Sequence, residues 1–98
     1  MSENTYILSE AADQDLENIF DFTLNQFGFD QAEKDLLEIE DLFKILVLNP
    51  ESGKARNEIK EGLYSFPKDN HIIFYRILDK QIQIIRALYG SRDLPNYF

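Results

Sequence analysis

Between His71 and Tyr89 the chain carries two apolar, β-branched runs, HIIFYRIL and QIQIIRALY, separated only by Asp79-Lys80. A two-residue polar connection forces the second run back along the first, so this stretch predicts an antiparallel β-hairpin. The first run is nearly continuously apolar, which suits a central strand covered on both faces. The second alternates, with Ile82, Ile84 and Leu88 on one face and Gln81, Gln83 and Tyr89 on the other. By that count Arg86 falls on the apolar face, where a guanidinium needs a buried partner.

Upstream, Gly62–Phe66 reads as a further strand that turns at Pro67-Lys68-Asp69-Asn70 into the hairpin. Residues 50–60, PESGKARNEIK, are polar and broken by Pro50 and Gly53, so they read as a loop or a ragged extended segment.

The first half has a different period. TYIL at Thr5–Leu8 fits a short strand. Ser9 stands where a helix N-cap belongs, and Glu10 and Asp13 put negative charge in the first turn. Ala12, Leu16, Ile19, Phe20, Thr23 and Phe27 recur at spacings of three and four, one stripe of a helix. Asp15, Glu17, Asp21 and Asn25 sit between them, and Gly28 occupies the place of a C-terminal left-handed residue. Asp30 with Glu33 reads as a capping box for a second helix. Its stripe is Ala32, Leu36, Ile39, Phe43 and Leu46, widened by Leu42 and Val47, and Asn49-Pro50 stops it. A link this short makes the two helices an antiparallel hairpin. The expected fold is one α+β domain over residues 1–98. In it an N-terminal strand and a helical hairpin pack on a three- to four-stranded antiparallel sheet, in the order β-α-α-β-β-β.

Charge is divided unevenly. Residues 1–41 carry twelve acids and Lys34 alone, a net of −11, while residues 42–98 carry six acids and nine bases, a net of +3. Together they give −8. An acidic lobe repels phosphate, which argues against direct DNA binding. The absence of Cys removes disulfide, Cys-zinc and thiol redox chemistry. No apolar run approaches a membrane span, and no leader pattern opens the chain, so a cytoplasmic location is expected.

Chemistry is sparse. His71 is the only histidine and has no Ser, Cys or Asp spacing of a triad around it. The helix carboxylates are solvated faces, and neither a metal nor another cofactor is expected. The basic residues Lys54, Arg56, Lys60, Arg76, Arg86 and Arg92 are better candidates, because several could converge on one side of the sheet. The tail Leu94-Pro95-Asn96-Tyr97-Phe98 brings apolar mass to a terminus, either to cap the core or to dock.

The ordered set of segments resembles the ParE toxins of the RelE/ParE superfamily. It comprises SEAADQDLENIFDFTLNQFG from Ser9, DQAEKDLLEIEDLFKILVLNP from Asp30, GKARNEIKEGLYSFP from Gly53, HIIFYRI from His71 and IIRALYGSRDLP from Ile84. The resemblance implies a toxin of a type II toxin–antitoxin pair that poisons DNA gyrase by binding, without being an enzyme. It implies a target-binding C-terminal region, here Arg86, Leu88, Tyr89, Arg92, Leu94, Tyr97 and Phe98. It also implies a ParD-like ribbon-helix-helix antitoxin whose disordered segment lays a helix in an apolar groove. That groove is expected along Leu16, Ile19, Phe20, Phe22 and Leu24, with Arg56 and Arg76 from the sheet side. Phe22 and Leu24 lie off the main stripe and are surplus apolar residues. The RelE-type branch implies instead a ribosome-dependent ribonuclease, which would here use Arg56, Lys60, Arg86, Arg92 and Tyr97. Its Arg would stand near Gly90 and its Tyr near Asn96, so Arg92 and Tyr97 are offset. A third expectation is a degenerate toxin that only binds its antitoxin.

Overall fold

The computed structural model describes residues 5–90. Arg92, Leu94, Tyr97 and Phe98, with the rest of the expected tail, lie outside the described residues. The elements are β1 (Thr5–Leu8), α1 (Glu10–Phe27), α2 (Phe29–Leu48), a 3-10 turn (Pro50–Ser52), β2 (Lys54–Ala55), β3 (Leu63–Lys68), β4 (His71–Leu78) and β5 (Gln81–Tyr89). The α+β architecture of helical hairpin on sheet is as expected.

The sheet is larger than expected and mixed. Its five strands run in the order β1-β5-β4-β3-β2. β1 lies parallel to β5, from Thr5 opposite Gln81 to Leu8 opposite Ile84, and every other pairing is antiparallel. The two-residue β2 is the only regular strand within the polar 50–60 stretch, and it pairs with Tyr64 and Ser65. Asp79-Lys80 forms the expected turn, with Lys80 at φ 78°.

Local signals decide the helices. The Ala12 N–H donates to Ser9 Oγ at 2.9 Å, so Ser9 is the N-cap of α1. The expected capping box of α2 does not form. Gly28 at φ 95° reverses the chain in one residue, Phe29 is already helical, and the Ala32 N–H bonds the Gly28 carbonyl at 3.1 Å. Asp30 therefore sits inside the first turn and contributes only through the helix dipole.

The main core joins Ala12, Leu16, Ile39, Leu42, Phe43 and Leu46 of the hairpin to Ile73, Tyr75, Ile82, Ile84 and Ala87 of the sheet. A smaller cluster of Leu63, Phe74 and Leu88 occupies the other sheet face, with Ile59, Ile72 and Ile85 against it. Strand alternation fails in β5. Phe74 pairs with Arg86 but Tyr75 pairs with Ile84, so Ile85 is an extra residue, a β-bulge. Beyond it the faces exchange: Ala87 joins Ile82 and Ile84, and Leu88 goes to the opposite cluster. The expected grouping of Leu88 with Ile82 and Ile84 is thus corrected. Phe27, expected on the buried stripe, is 71% exposed, because α1 has no buried residue beyond Thr23.

Candidate functional site: a groove between the helical hairpin and the end of the sheet

β1 covers β5 only as far as Ile84. There the chain turns into α1, and side chains of α1 take over the edge. The Ser9 N–H donates to the Ile84 carbonyl at 3.0 Å and the Ser9 hydroxyl to the Ile85 carbonyl at 2.8 Å. One residue therefore caps the helix and holds the bulge.

Two turns along α1, Asp15 completes the edge. Its Oδ2 accepts from Arg86 Nε at 2.8 Å and from the Ala87 N–H at 2.9 Å, and its Oδ1 accepts from Arg86 Nη2 at 2.9 Å. The carboxylate supplies the acceptor that a neighbouring strand would have given Ala87. It also pairs bidentately with the guanidinium, the strongest geometry for such a pair. Asp15 was expected on the solvated face and is instead buried at 8%. The demand of Arg86 for a buried partner was visible in the sequence. That Asp15 is the acceptor was not, because the bulge that aims Arg86 at α1 leaves no spacing signal.

Beyond this clamp lies a groove of about 760 Å³. One wall is the second half of α1, with Asn18, Ile19, Phe22 and Thr23. The opposite wall is the β3–β4 turn, Lys68–His71, with the end of β5, Arg86–Tyr89. Asp35 and Ile39 of α2 contribute to it. His71 packs edge-on against Tyr89, with ring centroids 5.7 Å apart at 82°. Burial holds its pKa below the ordinary histidine value, against the opposing pull of Asp69 and Asp35. Lys68 is tied to Asp69 at 3.1 Å and to Glu38 at 3.3 Å.

The expected antitoxin-facing residues divide. Leu16 is 7% exposed and belongs to the core, so it offers no surface. Ile19 lines the groove, and Phe20 sets its ring edge-on to Phe29, 6.2 Å away. Phe22 is 63% exposed at the groove and Leu24 37%. Arg56 and Arg76 are not brought to them. Arg56 Nε donates to Ser65 Oγ at 2.8 Å, and Nη1 lies 3.4 Å from Glu58. Arg76 is exposed between Leu63 and Gln83. Both belong to the sheet face turned away from the helices, since Ser65 and Arg76 alternate with the core-facing Tyr64 and Tyr75. Of the expected target-binding residues, Arg86 is held by Asp15, Leu88 is buried and Tyr89 is half-exposed. Among the described residues no group of His, Cys, Asp and Glu is placed to hold a metal ion. Among the same residues no helix is long and apolar enough to cross a membrane.

Residues 6–94 match the family model described as the ParE toxin of the type II toxin–antitoxin system parDE. Toxin ParE1 of Mycobacterium tuberculosis is 36% identical, over 91% of this chain and 92% of its own. Toxin ParE1 of Caulobacter vibrioides is 27% identical over 90% and 91%. Among solved structures, a chain described as the chromosomal ParDE TA system from P. aeruginosa superposes with a TM-score of 0.75 at 23% identity, covering 90% of this chain and 98% of that one. A YoeB/ParE toxin from Agrobacterium tumefaciens gives 0.61 at 14%, covering 89% and 99%. These two likenesses support the fold. With the family match spanning nearly the whole described fold, and a relative sharing more than a third of its residues, the chain belongs to the ParE toxin family of type II toxin–antitoxin systems.

Proposed function

We propose that this ParE-type toxin acts in the cytoplasm by binding DNA gyrase, without catalysis of its own, and is silenced by a ParD-like antitoxin seated in the α1 groove. The observation that carries the antitoxin half is Phe22. It leaves most of a large ring uncovered at the mouth of a groove also lined by Ile19 and Tyr89. An amphipathic helix entering such a groove would bury that ring, worth roughly 1.5–3 kcal/mol.

The gyrase half rests on family membership and on the construction of β5. The Asp15–Arg86 clamp fixes the strand from which residues 91–98 continue. In this reading Arg86 positions the segment, and Tyr89 with the residues that follow meets the target. The only histidine, partly buried against Tyr89 and biased toward its neutral form, is spoken for by packing.

The test has two parts. Co-expression with the open reading frames that flank its gene, followed by pull-down, should recover an antitoxin. The purified toxin should block supercoiling by gyrase from the same host, and the recovered antitoxin should reverse the block. A folded, antitoxin-binding sample that leaves supercoiling intact overturns the gyrase assignment. A sample that recovers no partner overturns the antitoxin assignment.

A further inference from the structure

The outward face of α2 repeats with a different period from its core stripe. Lys34, Leu37, Asp41, Lys44 and Leu48 follow one another at steps of three, four, three and four, the seam period of two coiled helices. All five are exposed, and Ile45 is exposed beside them. Leu37 and Ile45 are each 53% exposed, and Leu48 is 72% exposed. The buried residues of the helix, Ala32, Ile39, Leu42, Phe43 and Leu46, lie on its opposite side. None of the seam residues lines the groove, to which α2 gives Asp35 and Ile39. Asp41 and Lys44 have no ion-pair partner among the described residues.

The order of these side chains decides what can cover them. From Leu37 to Leu48 the seam reads apolar, acid, base, apolar, at steps of four, three and four. Reversed, it reads apolar, base, acid, apolar at the same steps. A second α2 laid antiparallel therefore sets Leu37 against Leu48, Asp41 against Lys44, Lys44 against Asp41 and Leu48 against Leu37, four layers over about 16 Å. A parallel copy would set Asp41 against Asp41 and Lys44 against Lys44. Elsewhere the hairpin repels its own kind. Between Glu10 and Leu48 stand eleven acids against two bases, a net of −9. Both bases, Lys34 and Lys44, stand on this seam, so it is the face on which that like charge is relieved.

We propose that the outward face of α2 is a self-association surface whose partner is a second copy of this chain. The two helices run antiparallel, with ion pairs of Asp41 and Lys44 between outer layers of Leu37 on Leu48. Such a contact is isologous, so it closes at two copies. It leaves both grooves open, because the seam and the groove use different residues of α2. A two-armed partner thereby meets two binding surfaces on one particle. Four layers make a small interface and the net charge of each chain opposes it, so half-association should fall at about 10–100 µM.

The test is sedimentation equilibrium of the full-length chain alone, over about 5–500 µM at constant salt. The average mass should rise from 11.5 kDa toward twice that value. Asp41→Lys and Lys44→Asp, each shown folded by circular dichroism, set like charges together in both middle layers. Each should weaken association about tenfold or more. An equimolar mixture of the two variants restores both ion pairs across the seam, and it should associate at least as well as the wild type. Leu48→Ser removes the outer layers and should weaken association about fivefold or more. A wild-type chain that stays at 11.5 kDa throughout the range overturns the proposal. So do single variants that associate as the wild type does, and so does a mixture that stays monomeric. None of these outcomes bears on the antitoxin reading, which the pull-down decides.

Discussion

Asp15 and Arg86 are 71 residues apart in sequence and share two hydrogen bonds of 2.8 and 2.9 Å, with the Ala87 N–H as a third donor to the same carboxylate. Together they close the strand edge that β1 leaves open beyond Ile84. Removing Asp15 orphans a backbone donor and a guanidinium at once. Asp15→Ala should lower unfolding stability by about 3 kcal/mol in a urea titration, near the lower end for breaking a buried pair because the Arg86 side chain keeps 22% exposure. Arg86→Ala should cost less, and the double variant less than the two combined. Strict additivity would show that the pair is not coupled.

Ser9→Ala tests the other staple on that edge. The variant loses the cap of α1 and the bond to the Ile85 carbonyl, which should cost about 1–2 kcal/mol. Hydrogen exchange should accelerate at Ile84–Ala87 as well as in the first turn of α1. Acceleration confined to the helix would mean that the bulge holds without Ser9.

Gly53 lies against a fixed wall. A Cβ there would collide with the Tyr75 hydroxyl and come within 2.8 Å of the Ser65 carbonyl oxygen. That hydroxyl accepts from the Gly53 N–H at 3.0 Å and donates to the Pro50 carbonyl at 2.7 Å. Gly53→Ala should therefore destabilise by about 1–3 kcal/mol and loosen β2. A thermal melt unchanged by the substitution would contradict this.

Phe22→Ser separates the surface from the core. At 63% exposure the ring contributes little to folding, so stability should move by no more than about 0.5 kcal/mol. Antitoxin affinity should fall about tenfold or more by calorimetry. Equal losses in both measurements would place Phe22 in the core energetics instead.

His71 gives a pH signature. Burial lowers its folded pKa below the unfolded value of about 6.5. The unfolded chain therefore takes up the proton first, and stability from this group is complete above the unfolded pKa. It is lost as pH falls through that value toward the folded one. Denaturant midpoints should decline between pH 7 and 5.5, before the carboxylates titrate. His71→Gln should flatten that part of the curve, and an unchanged slope would assign it to other groups.

Local chemistry carried most of the fold into the sequence. The Ser9 cap, the stripe from Ala32 to Leu46 and the Asp79-Lys80 turn each act within a few residues, where spacing is a reliable guide. The features that escaped depend on distant partners. One miss was local: Asp30 and Glu33 spelled a capping box, but Gly28, as N-cap, started α2 two residues too early for it. Ile84-Ile85 hid a bulge, because two adjacent apolar residues are equally at home in a regular strand. β1 carried no sign that it would run parallel, since its partner lies at the far end of the chain. For the site, Phe22 and Leu24 were visible as surplus apolar residues, whereas the Lys68–His71 wall of the groove exists only once β3 and β4 have paired.

The parallel pairing of β1 with β5 also sets a clock. Leu8 is made 73 residues before Gln81, an interval of roughly 4–15 s at ordinary translation rates. The helices form within microseconds of emerging. A newly made chain therefore spends seconds with Ile39, Phe43 and Leu46 not yet covered by the strands. The like charge that the hairpin carries opposes association of one such chain with another.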